Sequence, residues 1–183
     1  ETFYWKPIII SNVLQEYNIP VLWLDSATVI LQSLDPIIKT ITQTGLYTPI
    51  ASMEQFSNRL HSGTINYLNI PPEFLKKRNR AGGYCGFNPN HDTVIQLVNE
   101  WNELSQVPNC ISPKGATSQN HRYDQALLTY LLYHYENKGK ITLIHDELDI
   151  SSIRPTPYTR TRNKVPNYIP IWLDSITRIC HRR

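Results

Sequence analysis

The stretch Val21-Leu22-Trp23-Leu24-Asp25-Ser26-Ala27 decides how the rest of the chain is read. Four consecutive apolar residues after Pro20 predict a short strand buried on both faces, which favours a parallel sheet inside an α/β domain. Asp25 follows the last apolar residue directly. A charge at that point has to leave the core, and the carboxyl ends of strands are where open α/β sheets bind ligands. A plain turn capped by Asp25 is the competing reading.

On the N-terminal side, Ile8, Ile9, Ile10, Val13, Leu14 and Tyr17 recur at helical spacing, with Pro7 tolerated in the first turn. On the C-terminal side, Thr28 to Leu31 is a second extended piece. Asp35-Pro36 opens a helix that Gly45 stops. Leu46 to Ala51 reads as a strand, Met53 to His61 as a short helix, and Pro71-Pro72 as the start of another. That last helix runs through Leu75 into a solvated basic end, Lys76-Lys77-Arg78. The glycines of Ala81-Gly82-Gly83-Tyr84-Cys85-Gly86-Phe87 permit a tight turn into a strand, or a platform of exposed peptide groups beside a ligand.

Asp92 to Leu104 is an amphipathic helix whose apolar face is Val94, Ile95, Leu97, Val98, Trp101 and Leu104. A loop from Ser105 to Asn120 follows, and loops of that length are often functional. The helix from Tyr123 or Asp124 to about Tyr135 is apolar around nearly its whole circumference and should be well buried. Lys140 to Ile144 reads as a last strand, ending in His145-Asp146-Glu147. Strands and helices alternate throughout, so the fold class is α/β. Residues 1–150 form the domain, and residues 151–183 form a basic, proline-rich C-terminal tail.

At 183 residues the chain supports one sizeable core, and a net charge of +3 is too small to point to a nucleic-acid partner. Three cysteines, Cys85, Cys110 and Cys180, are too few for a disulfide scaffold. One bridge would leave one thiol over, and no zinc spacing is present. The sequence begins with Glu1, without a charged-then-apolar leader or an apolar run of bilayer-spanning length. It is therefore expected to be part of a longer protein, anchored to a membrane only if a preceding segment supplies the anchor.

Three polar groups stand where a strand or loop gives way to another element: Asp25, the run His121-Arg122-Tyr123-Asp124-Gln125, and His145. In an α/β sheet such points can converge on one crevice. A carboxylate and an imidazole from separate strand ends suit a divalent cation, and a helix N-terminus suits an anion beside it. The plainer alternatives are that Asp124 caps its helix, that His121 and Arg122 are solvated loop residues, and that His145 is structural.

Trp5-Lys6-Pro7-Ile8-Ile9-Ile10, the Val21-to-Ser26 stretch, Ala81-Gly82-Gly83 and His121-Arg122-Tyr123-Asp124-Gln125-Ala126-Leu127-Leu128, taken in order, resemble the nucleotide-sugar glycosyltransferases of the GT-A class. The likeness is strongest to poorly characterised animal transferase-like proteins with a Leu-Trp-Leu-Asp-Ser strand and a His-Arg-x-Asp-Gln helix start. It runs from about Trp5 to His145. The resemblance implies a nucleotide-diphospho-sugar transferase sandwich. Sugar would pass from a nucleoside diphosphate sugar to a glycan or other hydroxyl acceptor, assisted by Mn²⁺ or Mg²⁺, in the Golgi lumen or elsewhere in the secretory pathway.

By the same resemblance, Asp124 and Gln125 are catalytic. Asp25, Ser26, Gly82, Gly83, His121 and Arg122 bind the donor, and Asp25 and His145 hold the metal. A lumenal setting also implies a Cys85–Cys110 bridge. Arg160, Arg162 and Lys164 become candidates for a basic tail closing over the diphosphate.

Two features depart from the family pattern. Asp25 stands alone where the family carries Asp-x-Asp. Only Glu1 to Pro20 precede the strand that ends at Asp25, where the family has its first nucleotide-binding strands, so the chain is expected to be the later half or two thirds of a transferase. Both departures favour an alternative from another class, a catalytically inactive transferase-like module that binds a glycan or a protein partner. A third reading is a basic anion-binding module that works through its tail.

Overall fold

A computed structural model describes residues 3–26, 28–30, 33–144 and 159–161. In chain order the first elements are α1 (Trp5–Tyr17), β1 (Val21–Leu24), β2 (Thr28–Ile30), α2 (Asp35–Thr44), β3 (Leu46–Tyr47) and β4 (Ile50–Gln55). A 3-10 turn, Phe56–Arg59, leads to α3 (Ser62–Leu68), α4 (Pro72–Leu75), β5 (Arg78–Arg80) and β6 (Tyr84–Phe87). Then come α5 (Asp92–Ser105), α6 (Pro108–Ile111), α7 (Tyr123–Asn137) and β7 (Thr159–Thr161).

The deciding stretch is a strand, but its partner runs the opposite way to expectation. β1 pairs antiparallel with β6, Leu24 opposite Tyr84 and Val21 opposite Phe87. β6 also pairs antiparallel with β3, giving the order β1-β6-β3. The two other ladders, β2 with β7 and β4 with β5, are antiparallel as well. The architecture among the described residues is thus mixed α/β with small antiparallel sheets, and the parallel sheet is corrected.

The apolar run misled because both faces of this antiparallel sheet are covered. On one face, Val21 and Trp23 of β1, Leu46 of β3, and Cys85 and Phe87 of β6 meet the main core, which α1, α5 and α7 complete with Ile10, Leu14, Leu97, Trp101, Leu127 and Leu131. On the other face, Leu22, Leu24, Tyr47 and Tyr84 pack with Ile37 and Ile41 of α2. Alternation along each strand serves two apolar layers, so no polar residue marks the period of two. As an edge strand, β1 is only half-buried.

Most helices fall where the sequence places them. The left-handed backbone of Gly45, with φ of 87°, ends α2 as expected. Met53 to His61 is a correction. β4 carries the chain to Gln55 before the 3-10 turn, because pairing with β5 and complete burial of Phe56 override local helical preference. His61, the expected end of that helix, instead caps α3, its Nδ1 accepting from the Gly63 N–H at 3.0 Å. The basic run is less solvated than expected: Arg78 opens β5, and Lys77 pairs with Glu136 at 3.1 Å above the Tyr133 ring. Lys140 to Ile144 forms no strand. It is fixed by burial of Leu143 and by the Ile144 carbonyl accepting from Arg80 Nη2 at 2.8 Å.

Gly86 is required for space. A Cβ there would strike the Ile41 side chain, 2.8 Å from Cγ1, and Ile41 is fully buried. Gly86→Ala should therefore lower unfolding free energy by roughly 1–3 kcal/mol through overpacking. Ile41→Val alone removes one methyl at about 0.5–1.5 kcal/mol, yet in the Gly86→Ala background it should return part of the loss. Urea unfolding of the four proteins of this cycle checks it, and strictly additive losses would contradict the proposed clash.

Candidate functional site

The antiparallel pairing brings two sequence-distant motifs side by side. Beyond the Leu24–Tyr84 pair the ladder gains one more rung, the Asp25 N–H donating to the Gly83 carbonyl at 2.9 Å. A Cβ on Gly83 would lie 2.9 Å from Asp25 Cγ, so the carboxylate rests where any larger residue would put its side chain. The start of α7 closes in from another direction. Gln125 Nε2 donates to the Arg80 carbonyl at 2.8 Å, and a Cβ on Gly82 would lie 2.9 Å from Gln125 Cβ. Tyr123, the first residue of α7, has φ of 45°, a left-handed turn uncommon for a bulky residue, and it delivers Asp124 directly into the junction. Asp124 is held from behind by Trp101, whose Nε1 donates to its backbone carbonyl at 2.9 Å.

At the centre stands Lys6, from the first turn of α1. Its Nζ lies 3.0 Å from Asp124 Oδ2 and 3.5 Å from Asp25 Oδ1, and it donates to the Gly82 carbonyl at 3.1 Å. The Lys6 side chain is 7% exposed and Asp124's 6%, whereas Asp25's is 51%. The cluster is a buried ion pair with a third, solvated member. Burial works against the Lys6 charge, but Asp124 and then Asp25 outweigh it, and the ammonium is held above its ordinary range. Burial pushes the Asp124 carboxyl upward, and the nearby ammonium offsets part of that push. The geometry favours the ionised pair, because three oxygens surround one ammonium and Asp124 Oδ2 has no other partner.

Asp25, Gly82, Gly83, Asp124 and Gln125 thus come together. Ser26 is exposed in the turn that the Thr28 N–H closes on the Asp25 carbonyl at 2.8 Å. His121 is elsewhere and fully buried. Its Nδ1 accepts from the His61 N–H at 3.3 Å, and its Nε2 lies 3.0 Å from the Ile111 carbonyl, so that nitrogen carries the proton. No ring atom remains for a donor, and a ligand-contacting His121 is corrected to one that ties the 105–120 loop to α3. Burial pulls its pKa down to about 4. Arg122 is half-buried, and the charges acting on it belong to Arg59 and Glu54. His145, Arg162 and Lys164 lie outside the described residues, and Arg160 is placed only by its backbone, opposite Val29.

The expected Cys85–Cys110 bridge is absent: both thiols are free and fully buried, and burial pushes each up to about 12. They are apolar packing groups in the main core rather than nucleophiles.

The donor set does not fit Mn²⁺ or Mg²⁺. The oxygens that would ligate one, from Asp25, Asp124 and Gly82, already surround the Lys6 ammonium. Asp25 Oδ1 also accepts from Trp23 Nε1 at 2.8 Å. Among the described residues no group of three or more His, Cys, Asp or Glu could hold a metal ion. Lys6 is the residue that sequence reasoning missed. Its signal was present: a lysine in the first turn of a helix opposes the helix dipole, and no acid in that turn offsets it.

No helix among the described residues is long and apolar enough to cross a membrane. No family model, curated protein or solved structure matches the chain.

Lys6→Met strands the buried Asp124 carboxylate and should cost about 3–5 kcal/mol, whereas Asp25→Asn, at a half-exposed position, should cost no more than about 1 kcal/mol. Adding Asp124→Asn to Lys6→Met should recover much of the loss. Denaturant melts of the double-mutant cycle read the coupling, and a coupling near zero would contradict the ion pair.

His121 predicts an acid-side effect. Its folded pKa, about 4, lies below the ordinary histidine value of 6.5, so its contribution is complete above that value and is lost as pH falls from there toward 4. The loss should reach roughly 3 kcal/mol at the low end. Unfolding midpoints across this range, together with a His121 ring signal that stays neutral at pH 5, would establish it.

Proposed function

We propose that the chain is a glycosyltransferase-like binding module that takes up a glycan beside Asp25. In it, Lys6 stands where metal-assisted transfer would need a divalent cation. One observation carries this reading: the Lys6 ammonium sits among Asp25, Asp124 and the Gly82 carbonyl. The resemblance assigns those positions to donor binding and catalysis, and their gathering around one point supports a sugar-handling site. Their electrostatics argue against phosphate chemistry there. Two carboxylates and one ammonium sum to a charge of about −1 when ionised, which repels a diphosphate unless a further cation intervenes.

Transfer chemistry is disfavoured for a second reason. A general base has to come within hydrogen-bond reach of the proton it removes. Asp124 is 4% exposed and committed to Lys6, so an acceptor hydroxyl could reach it only after the ion pair opened. Gln125 is likewise committed to the Arg80 carbonyl. A neutral hydroxyl-rich ligand needs neither metal nor base. The setting that suits this role is the secretory pathway, where glycans are displayed.

The active, metal-assisted transferase is the second reading, and the half-exposed carboxylate of Asp25 favours it. Calorimetry separates the two, titrating the chain with nucleoside diphosphate sugars and with neutral oligosaccharides, each with and without Mn²⁺. The binding module predicts oligosaccharide binding unchanged by Mn²⁺. A nucleotide-sugar affinity that rises tenfold or more on adding Mn²⁺, with sugar transfer to an acceptor, would replace it with the transferase. Absence of binding by both ligand classes would end the glycosyltransferase-like reading.

A further inference from the structure

The surface beside the ion cluster carries large aromatic groups where water would ordinarily be met by polar ones. Trp5 is 44% exposed and Tyr4 50%, both at the start of α1. Trp23, on the edge strand β1, is partly buried, and its ring stands 5.8 Å from that of Trp5 at a tilt of 53°. Two indoles sharing a surface, one of them substantially bare, form the kind of exposed apolar patch that marks a binding position. A polar group is fixed at its border. Trp23 Nε1 donates to Asp25 Oδ1 at 2.8 Å, which sets both the indole and the carboxylate. The other oxygen, Oδ2, packs toward Gly83 in a side chain that is half exposed.

We propose that Trp5, Trp23 and Asp25 form a subsite for a neutral pyranose ring, which stacks on the bare indole surface while its hydroxyls donate to the Asp25 carboxylate. The inference rests on the glycan-binding reading above and gives it a location and a ligand chemistry.

Charge decides between ligand classes. A quaternary ammonium also favours indole faces beside a carboxylate. Here, however, Lys6 Nζ already lies 5.9 Å from the Trp23 ring centroid and 3.5 Å from Asp25 Oδ1, so the cation contact of that ring and of that oxygen is already taken from the inner side. The base of a nucleotide would stack equally well, but a nucleotide brings phosphate charge next to Asp25, a carboxylate of a cluster whose net charge is negative. A sugar meets neither objection. Its axial C–H groups suit the electron-rich ring face, and its hydroxyls suit an acceptor with lone pairs left over. Such sites typically combine apolar or aromatic walls with few well-placed polar groups.

The experiment observes the tryptophan indole N–H signals by ¹⁵N NMR. The chain is titrated with a panel of methyl hexopyranosides and short neutral oligosaccharides, with tetramethylammonium, and with a nucleoside monophosphate. The parent is compared with Trp5→Ala, Asp25→Asn and a distant surface control, Tyr17→Ala. Shifts of the Trp5 and Trp23 signals with sugar, an affinity reduced at least tenfold in Trp5→Ala and severalfold in Asp25→Asn, and no change in Tyr17→Ala are expected. Because Trp5 is half bare, its removal should leave the fold intact, which the unchanged remaining spectrum verifies.

Oligosaccharide binding that leaves both indoles unmoved and survives Trp5→Ala would overturn this subsite while leaving the glycan-binding reading in place. A stronger response to tetramethylammonium or to the nucleotide than to any sugar would overturn the choice of ligand. If no sugar binds in this titration and neither oligosaccharide nor nucleotide sugar binds in calorimetry, both inferences fall together.

Discussion

One ammonium group organises this protein. Lys6 Nζ reaches the backbone ahead of β6, the carboxylate beyond β1 and the carboxylate at the start of α7, all within 3.5 Å. Four chain segments are thereby fixed to one point. A buried ion pair is a weak source of net stability, because desolvation consumes much of the attraction. Its value lies in selectivity. Any arrangement that separates the four segments leaves Asp124 or Lys6 charged and unmatched in the interior, and such alternatives are strongly penalised.

The same interaction alters what the site can do. A divalent cation held by carboxylates can exchange and can coordinate a phosphate on its open side. A lysine ammonium tethered to a helix does neither. It is part of the fold, with its donors directed inward. The contrast between a resident and an exchangeable positive charge is what distinguishes the proposed glycan-binding module from a metal-assisted transferase.

Much of this was legible in the sequence, for identifiable reasons. α5 and α7 carry strong helical patterns with clear limits, and Gly45 marks the end of α2 by a backbone angle that few other residues accept. Asp25 and Asp124 could be marked as meeting points from the polar residues that stand where a strand or loop gives way to another element, whereas Gly82 and Gly83 joined them only through the resemblance. Strand direction could not, because a run apolar at every position describes a strand covered on both faces whichever way its neighbours point. The resemblance assigned His121 to the donor, and its place beside an arginine in a polar loop gave no sign of its burial. Only the folded chain reveals that the His61 N–H and the Ile111 carbonyl satisfy both ring nitrogens. Lys6 escaped notice because a single lysine at a helix start carries no periodic signal.

The notch at Gly86 has a consequence for how this surface can change over generations. The register that seats Ile41 of α2 against Gly86 is the same register that sets Asp25 beside Gly83, three residues earlier on the same segment. Inserting or deleting one residue between Gly83 and Gly86 would turn every side chain on one side of the break to the opposite face. It would then unseat either the helix or the carboxylate. Lineages carrying this fold are therefore expected to vary the site by exchanging side chains, with the spacing between those two glycines held constant.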